Sequence, residues 1–299
     1  MMRFLAAVML LTVSAVSSSA GDYAYEAADF QDPARMAGKL TDHNLGKLEK
    51  WKAGKIVLVE FAGEFLQSKE VTSSVFSQRA TGQVTTKTST IQLGGDYYDS
   101  VINRFYDMVK AAFEENGYPI VPRDNLASLE RYKSLELDME KTTKGYKGSA
   151  FSDGVSTKGL KISAEGLGLF PTNPLKAIKL AVRLAELTHD AEAGSAMRVS
   201  FYVDKGKKGA PVLKSMDIVL YADMEANEVG FAGNKKMSYG FKRQNETIFK
   251  LSKPMVNKVD ISGPEKGSVD MEKYDQGLMA LLGAAVDMLK ADLKEAKKD

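Results

Sequence analysis

The sequence predicts an α/β protein: a single three-layer-type domain with a mixed sheet, an inserted β-hairpin and a long C-terminal amphipathic helix. Three observations predict it. The run Lys55-Ile56-Val57-Leu58-Val59-Glu60-Phe61 is almost continuously apolar, as a strand buried on both faces must be. Helical and strand periodicities alternate after it, the mark of layered α/β architecture. Leucines at helical spacing, ending among lysines, close the chain. At 44% hydrophobic and 27% charged over 299 residues, there is ample material for one large core.

Residues 1–20 are predicted to be a secretory signal peptide. Arg3 precedes an apolar run from Phe4 to Val13, and Ser18-Ser19-Ala20 places small side chains at a cleavage point after Ala20. The run is too short to span a bilayer, which takes ~20 residues, and no later stretch approaches that length. The expected product is therefore periplasmic or secreted, with no membrane-spanning segment.

Residues 21–54 form an N-terminal extension. Asp32-Pro33 marks a helix start, and Leu45, Leu48 and Trp51 define a short apolar face. An α/β domain is predicted over 55–299, with inserts at 70–93 and 141–172. The first insert, Glu70 to Leu93, is rich in Thr, Ser and Val and is expected to be a polar hairpin. A helix follows through Val101, Phe105, Val109 and Phe113, started by Asp96 or Asp99 and stopped by Asn116-Gly117. Tyr118 to Pro122 is predicted as a short strand, and Asp124 as the cap of a helix carrying Leu126, Leu129 and Leu135. The second insert, Lys141 to Thr172, holds six glycines and is expected to be a loop. Asn173-Pro174 opens a helix ending near His189-Asp190. Met197 to Val203 alternates like a half-buried strand, residues 206–209 turn, and Met216 to Tyr221 pairs back. Val229 to Met255 supplies one or two more strands before the closing helix from Tyr274 to Leu293.

This element order, with Val57-Leu58-Val59-Glu60-Phe61, Gly117-Tyr118-Pro119-Ile120-Val121, Arg123-Asp124-Asn125-Leu126, Asp190-Ala191 before Gly194-Ser195, and Asp217 to Asp223, resembles the CsgG-like family of bacterial envelope proteins. That family is related in fold to the amino-terminal domain of TolB and to the penicillin-binding-protein activator LpoB. The resemblance spans roughly Lys55 to Lys298. It implies an envelope assembly role. Three features depart from it: histidine precedes Asp190, the Asp190-to-Gly194 spacing is one residue short, and the lipid-anchor cysteine is missing. Pore-forming members carry amphipathic membrane hairpins, whereas both alternating faces of Glu70 to Leu93 are polar. The resemblance therefore implies a soluble relative.

Little conventional chemistry fits the composition. The absence of cysteine excludes disulfides, thiolate metal sites and cysteine nucleophiles. The two histidines, His43 and His189, leave little room for histidine-based metal sites or triads. A net charge of +2 argues against a nucleic-acid partner. Glu60 and Glu64, with Asp190 beside His189, are the carboxylates that a secreted hydrolase would use. No nucleophile elbow or Ser-x-x-Lys accompanies them. Gly166-Leu167-Gly168 lacks both the third glycine and the preceding strand of a dinucleotide loop. Lys205 to Lys208 and the terminal lysines suit solvated turn and helix ends. Tyr97-Tyr98 and Phe201-Tyr202 suit packing. Asn245-Glu246-Thr247 matches a glycosylation acceptor without a context for it. No catalytic residue, cofactor or metal is expected. The function expected is that of a non-catalytic envelope interaction or assembly module, whose partners are envelope proteins or further copies of itself. A carboxylate-dependent hydrolase and a carrier of a small apolar ligand are the alternatives.

Overall fold

The apolar run at Ile56 does not end at Phe61. It continues as one strand, β3 (Ile56–Val75), twenty residues long, and the rest of the sheet is organised around it. The computed structural model describes residues 22–75, 83–90, 93, 95–140, 142–147, 155–171, 174–206, 209–231, 234–242, 245–264 and 268–297. The signal peptide expected over 1–20 and the turn of the first hairpin lie outside them.

The first half of β3 pairs in parallel with β7 (Ser195–Lys205), from Ile56 opposite Ser195 to Phe65 opposite Val203. On its other side it pairs antiparallel with β6 (Val155–Ser163). Beyond Ser68 it pairs with β4 (Gln83–Thr90), so β4 takes up the edge where β7 leaves off. β5 (Thr142–Lys147) adds to β6, and β8 (Pro211–Tyr221) adds to β7. The expected hairpin is thus present as the outer continuation of β3. The expected loop over 141–172 is corrected: much of it is the β5–β6 pair. Its Thr, Lys and Gly content offers no apolar alternation by which a strand is recognised.

The amino-terminal stretch enters the same sheet. β1 (Tyr23–Ala24) pairs with β12 (Met255–Val256), and β2 (Thr41–His43) with β11 (Glu246–Leu251), while β11 and β12 both pair with β8. Among the described residues ten strands form this sheet. β9 (Met224–Phe231) and β10 (Asn234–Phe241) form a separate two-stranded ribbon.

Helices cover both faces. α3 (Gly95–Glu115) lies on the Phe61 face, where Phe61 meets Phe105 and Tyr106 at 5.4 and 5.5 Å between ring centroids. It stops at Gly117, which adopts φ +80, and Asn116 Nδ2 donates to the Ala112 carbonyl at 2.8 Å. α1 (Pro33–Leu40) and α7 (Met271–Glu295) pack on each other, and α7 also packs on α3. Asp32 caps α1, accepting from the Arg35 N–H at 3.1 Å, and Asp270 caps α7, accepting from the Lys273 N–H at 3.2 Å. Between α1 and β3 runs α2 (Lys47–Lys50), which buries Leu48 beside Leu45 and Trp51. On the Glu60 face lie α5 (Glu130–Lys133) and α6 (Pro174–Asp190), following α4 (Arg123–Ser128).

Two local expectations are corrected. Asp124 does not cap α4: Pro122 occupies that position with no side-chain bond, and extended Leu129 divides the expected helix into α4 and α5. Residues 118–122 make a single parallel bridge, Ile120 to Ile56, rather than a strand. Two prolines within five residues remove the donors that a ladder needs.

Candidate functional site

Successive residues of a strand point to opposite faces, so β3 turns Phe61 towards α3 and Glu60 towards α5 and α6. Glu60 is fully buried and its charge is fully answered. Arg198 of β7 donates from Nε and Nη2 to Oε2 at 2.7 and 2.6 Å. The Phe170 N–H donates to Oε1 at 2.7 Å, and Lys161 Nζ stands 3.8 Å away. The Arg198 guanidinium lies over the Phe170 ring at 4.1 Å. Tyr132 of α5 accepts from the Gly168 N–H at 3.2 Å, and burial pushes its phenol up to about 12, so it remains protonated. These contacts clamp the chain after β6 onto β3 and β7. A carboxylate so occupied is held, not offered to a substrate.

Glu64 lies on the same face of β3, beside Gly159 of β6. Four residues along a strand separate it from Glu60 by about 13 Å, so the two do not form an acid/base pair. His189 and Asp190 are also drawn apart. His189 Nε2 stands 2.8 Å from Tyr239 Oη with the rings 4.1 Å apart, while Asp190 faces Arg131 at 3.5 Å.

Gly166-Leu167-Gly168 is a turn, with Gly166 at φ +75 and Gly168 packed against Leu137. The next residue, Leu169, bridges antiparallel to Asp138 through both its N–H and its carbonyl, rather than opening a helix. Tyr98 packs at a tilt on Phe65 with ring centroids 4.7 Å apart, and Phe201 meets Phe105 edge to face at 4.9 Å, both within the core. Glu246 is bonded to Asn44 and Lys47 at the start of β11. Lys205 Nζ reaches the Thr90 carbonyl at 3.5 Å, bridging the end of β7 to the end of β4. Burial lowers its pKa. Lys207 and Lys208 lie outside the described residues.

What the topology does bring together is the two inserts. Beyond Ser68 the strand order is β4-β3-β6-β5, each pair antiparallel: Ser68 to Val75 with Thr90 to Gln83, Ser68 to Val71 with Lys158 to Val155, and Thr142 to Lys147 with Lys161 to Ser156. Among the described residues, β4 bonds only to β3 and β5 only to β6, so both outer edges of this arm carry unpaired backbone groups. The arm carries Lys69, Lys87, Lys144, Lys147 and Lys158 against Glu70, a strongly basic balance on a nearly neutral chain. Thr and Ser dominate the remainder.

Beside the arm, an open groove of about 620 Å³ runs between the β7–β8 turn and β12. Its floor includes Ala24, Val212 and Val256, and Lys205, Lys214 and Asp260 line its rim. A second groove of about 390 Å³ lies near Asp99, Asp138 and Glu165.

Sequence reasoning missed one juxtaposition. His43 of β2 meets Asp292 and Glu295 of α7, with ligand atoms within 4.8 Å of one another. The i, i+3 spacing of the two acids on a helix was the available signal. The histidine lies at the far end of the chain, and its approach follows from sheet pairing that no local spacing reveals. No helix among the described residues is long and apolar enough to cross a membrane. No family model, no curated protein and no solved structure matches the chain.

Proposed function

We propose that the protein is a non-catalytic interaction or assembly module of the bacterial envelope, of the CsgG-like kind, and that it docks partners through the basic arm β4-β3-β6-β5. The observation that carries this reading is the convergence of two inserts, β4 of the first and the β5–β6 pair of the second, onto one sheet whose outer strands, among the described residues, each bond to a single neighbour.

 An exposed strand edge presents a row of backbone donors and acceptors to any extended segment of another chain. The lysines along the arm favour an acidic segment as that partner and disfavour pairing between like-charged copies edge to edge. Export through the signal peptide at 1–20 supplies the compartment. The resemblance over Lys55 to Lys298 supplies the kind of process.

The test is a shortened chain in which residues 71–89 are replaced by a two-residue turn, compared with the full chain by size-exclusion chromatography and by capture from envelope extracts. Capture of defined partners by the full chain, lost in the shortened one with circular dichroism unchanged, supports the reading. A full chain that stays monomeric and captures nothing, or a shortened one that captures the same partners, sinks it.

A further inference from the structure

We propose that His43, Asp292 and Glu295 bind one divalent transition-metal ion of the zinc class, clipping β2 at the sheet edge to the last turns of α7. The donor set is one imidazole nitrogen and two carboxylates, all within 4.8 Å of one another, with His43 Nε2 already 3.6 Å from Asp292 Oδ1. Metal–ligand bonds of about 2.0–2.2 Å place tetrahedral donors roughly 3.4 Å apart. The Asp292–His43 pair therefore needs almost no movement, and the exposed Glu295 side chain supplies the remaining adjustment.

Burial and charge give the independent reason. The side chain of Asp292 is 3% exposed. Glu60, the other buried carboxylate among the described residues, faces the permanent cation of Arg198. Asp292 does not share that arrangement: the side chains against it are the His43 ring at 3.6 Å and the Thr41 hydroxyl at 2.9 Å, neither a permanent cation. Two carboxylates facing one imidazole are short of positive charge, and a divalent cation supplies it. Thr41 Oγ1 lies 2.9 Å from Asp292 Oδ2 and can donate to it, fixing the carboxylate as outer partners of metal ligands do. An imidazole in the set favours zinc and its neighbours over calcium or magnesium, which take all-oxygen sites. His43, with its side chain 33% exposed, leaves an entry path.

The experiment is isothermal titration of the chelator-treated full chain with ZnCl2, together with Co2+ absorption spectra and thermal melts. One ion bound per chain is expected, with a melting temperature that rises with Zn2+ concentration. His43→Ala and Glu295→Gln should each weaken binding at least tenfold while leaving circular dichroism unchanged. His189→Ala should bind as the unaltered chain does. Absence of binding, equal binding by the His43→Ala and Glu295→Gln variants, or preference for Ca2+ or Mg2+ would overturn the proposal.

Discussion

Glu60 illustrates how a single buried charge constrains its neighbours. Its carboxylate accepts from Arg198 and from the Phe170 N–H inside a water-excluding layer. Removing one member of such a pair strands the other, at a cost of about 3–5 kcal/mol. Glu60→Gln should therefore lower stability by roughly 3 kcal/mol, at the low end because Arg198 keeps 29% of its side chain exposed. Urea denaturation reads this as a shifted midpoint at constant slope. Replacing both partners by apolar groups, Glu60→Leu with Arg198→Met, should cost less than Glu60→Leu alone. If the double variant is instead the less stable, the pair is not the source of the effect.

At the scale of elements, the packing of the Phe201 ring of β7 over β3 depends on a missing side chain. A methyl at Gly63 would lie 2.5 Å from Phe201 Cζ and 2.9 Å from Phe65 Cε2, inside a cluster that also holds Phe61 and Phe105. Gly63→Ala should cost about 1–3 kcal/mol through overpacking. Combining it with Phe201→Leu should give a loss smaller than the sum of the two, measured in the same urea series. The elements legible in the sequence are those with an apolar period. α3, α6 and α7 repeat Leu, Val and Phe every three to four residues, and β7 and β8 alternate buried and partly exposed positions. β5 and the outer half of β3 have no such period. Their residues are Thr, Ser, Lys and Gly, and neighbouring strands rather than a packed face define them. Of the candidate residues, Glu60 was visible by its place in an apolar run. Its partner Arg198 lies 138 positions away, and only the parallel register of β3 and β7 joins them.

Across the whole molecule, stability is expected to be uneven. The first half of β3 has strands on both sides and helices on both faces, whereas β4 and β5 are each bonded to one strand among the described residues. Regions with few buried contacts open at lower free energy than the core. Hydrogen exchange should therefore be slowest over residues 56–66 and clearly faster in β4 and β5. Equal protection along the sheet would mean that the arm is part of the rigid body and not a separately opening unit.

The pairing of the chain's two ends also sets when folding can finish. β1 and β2 lie against strands between residues 246 and 256, and α1 lies against α7, which ends at Glu295. At synthesis rates of about 5–20 residues per second, residues 22–43 wait roughly 10–60 seconds for those neighbours to be made. Throughout that interval the apolar side chains of α1 lack their eventual cover. The packing of this corner of the molecule is therefore the last to be completed, however early the central strands pair.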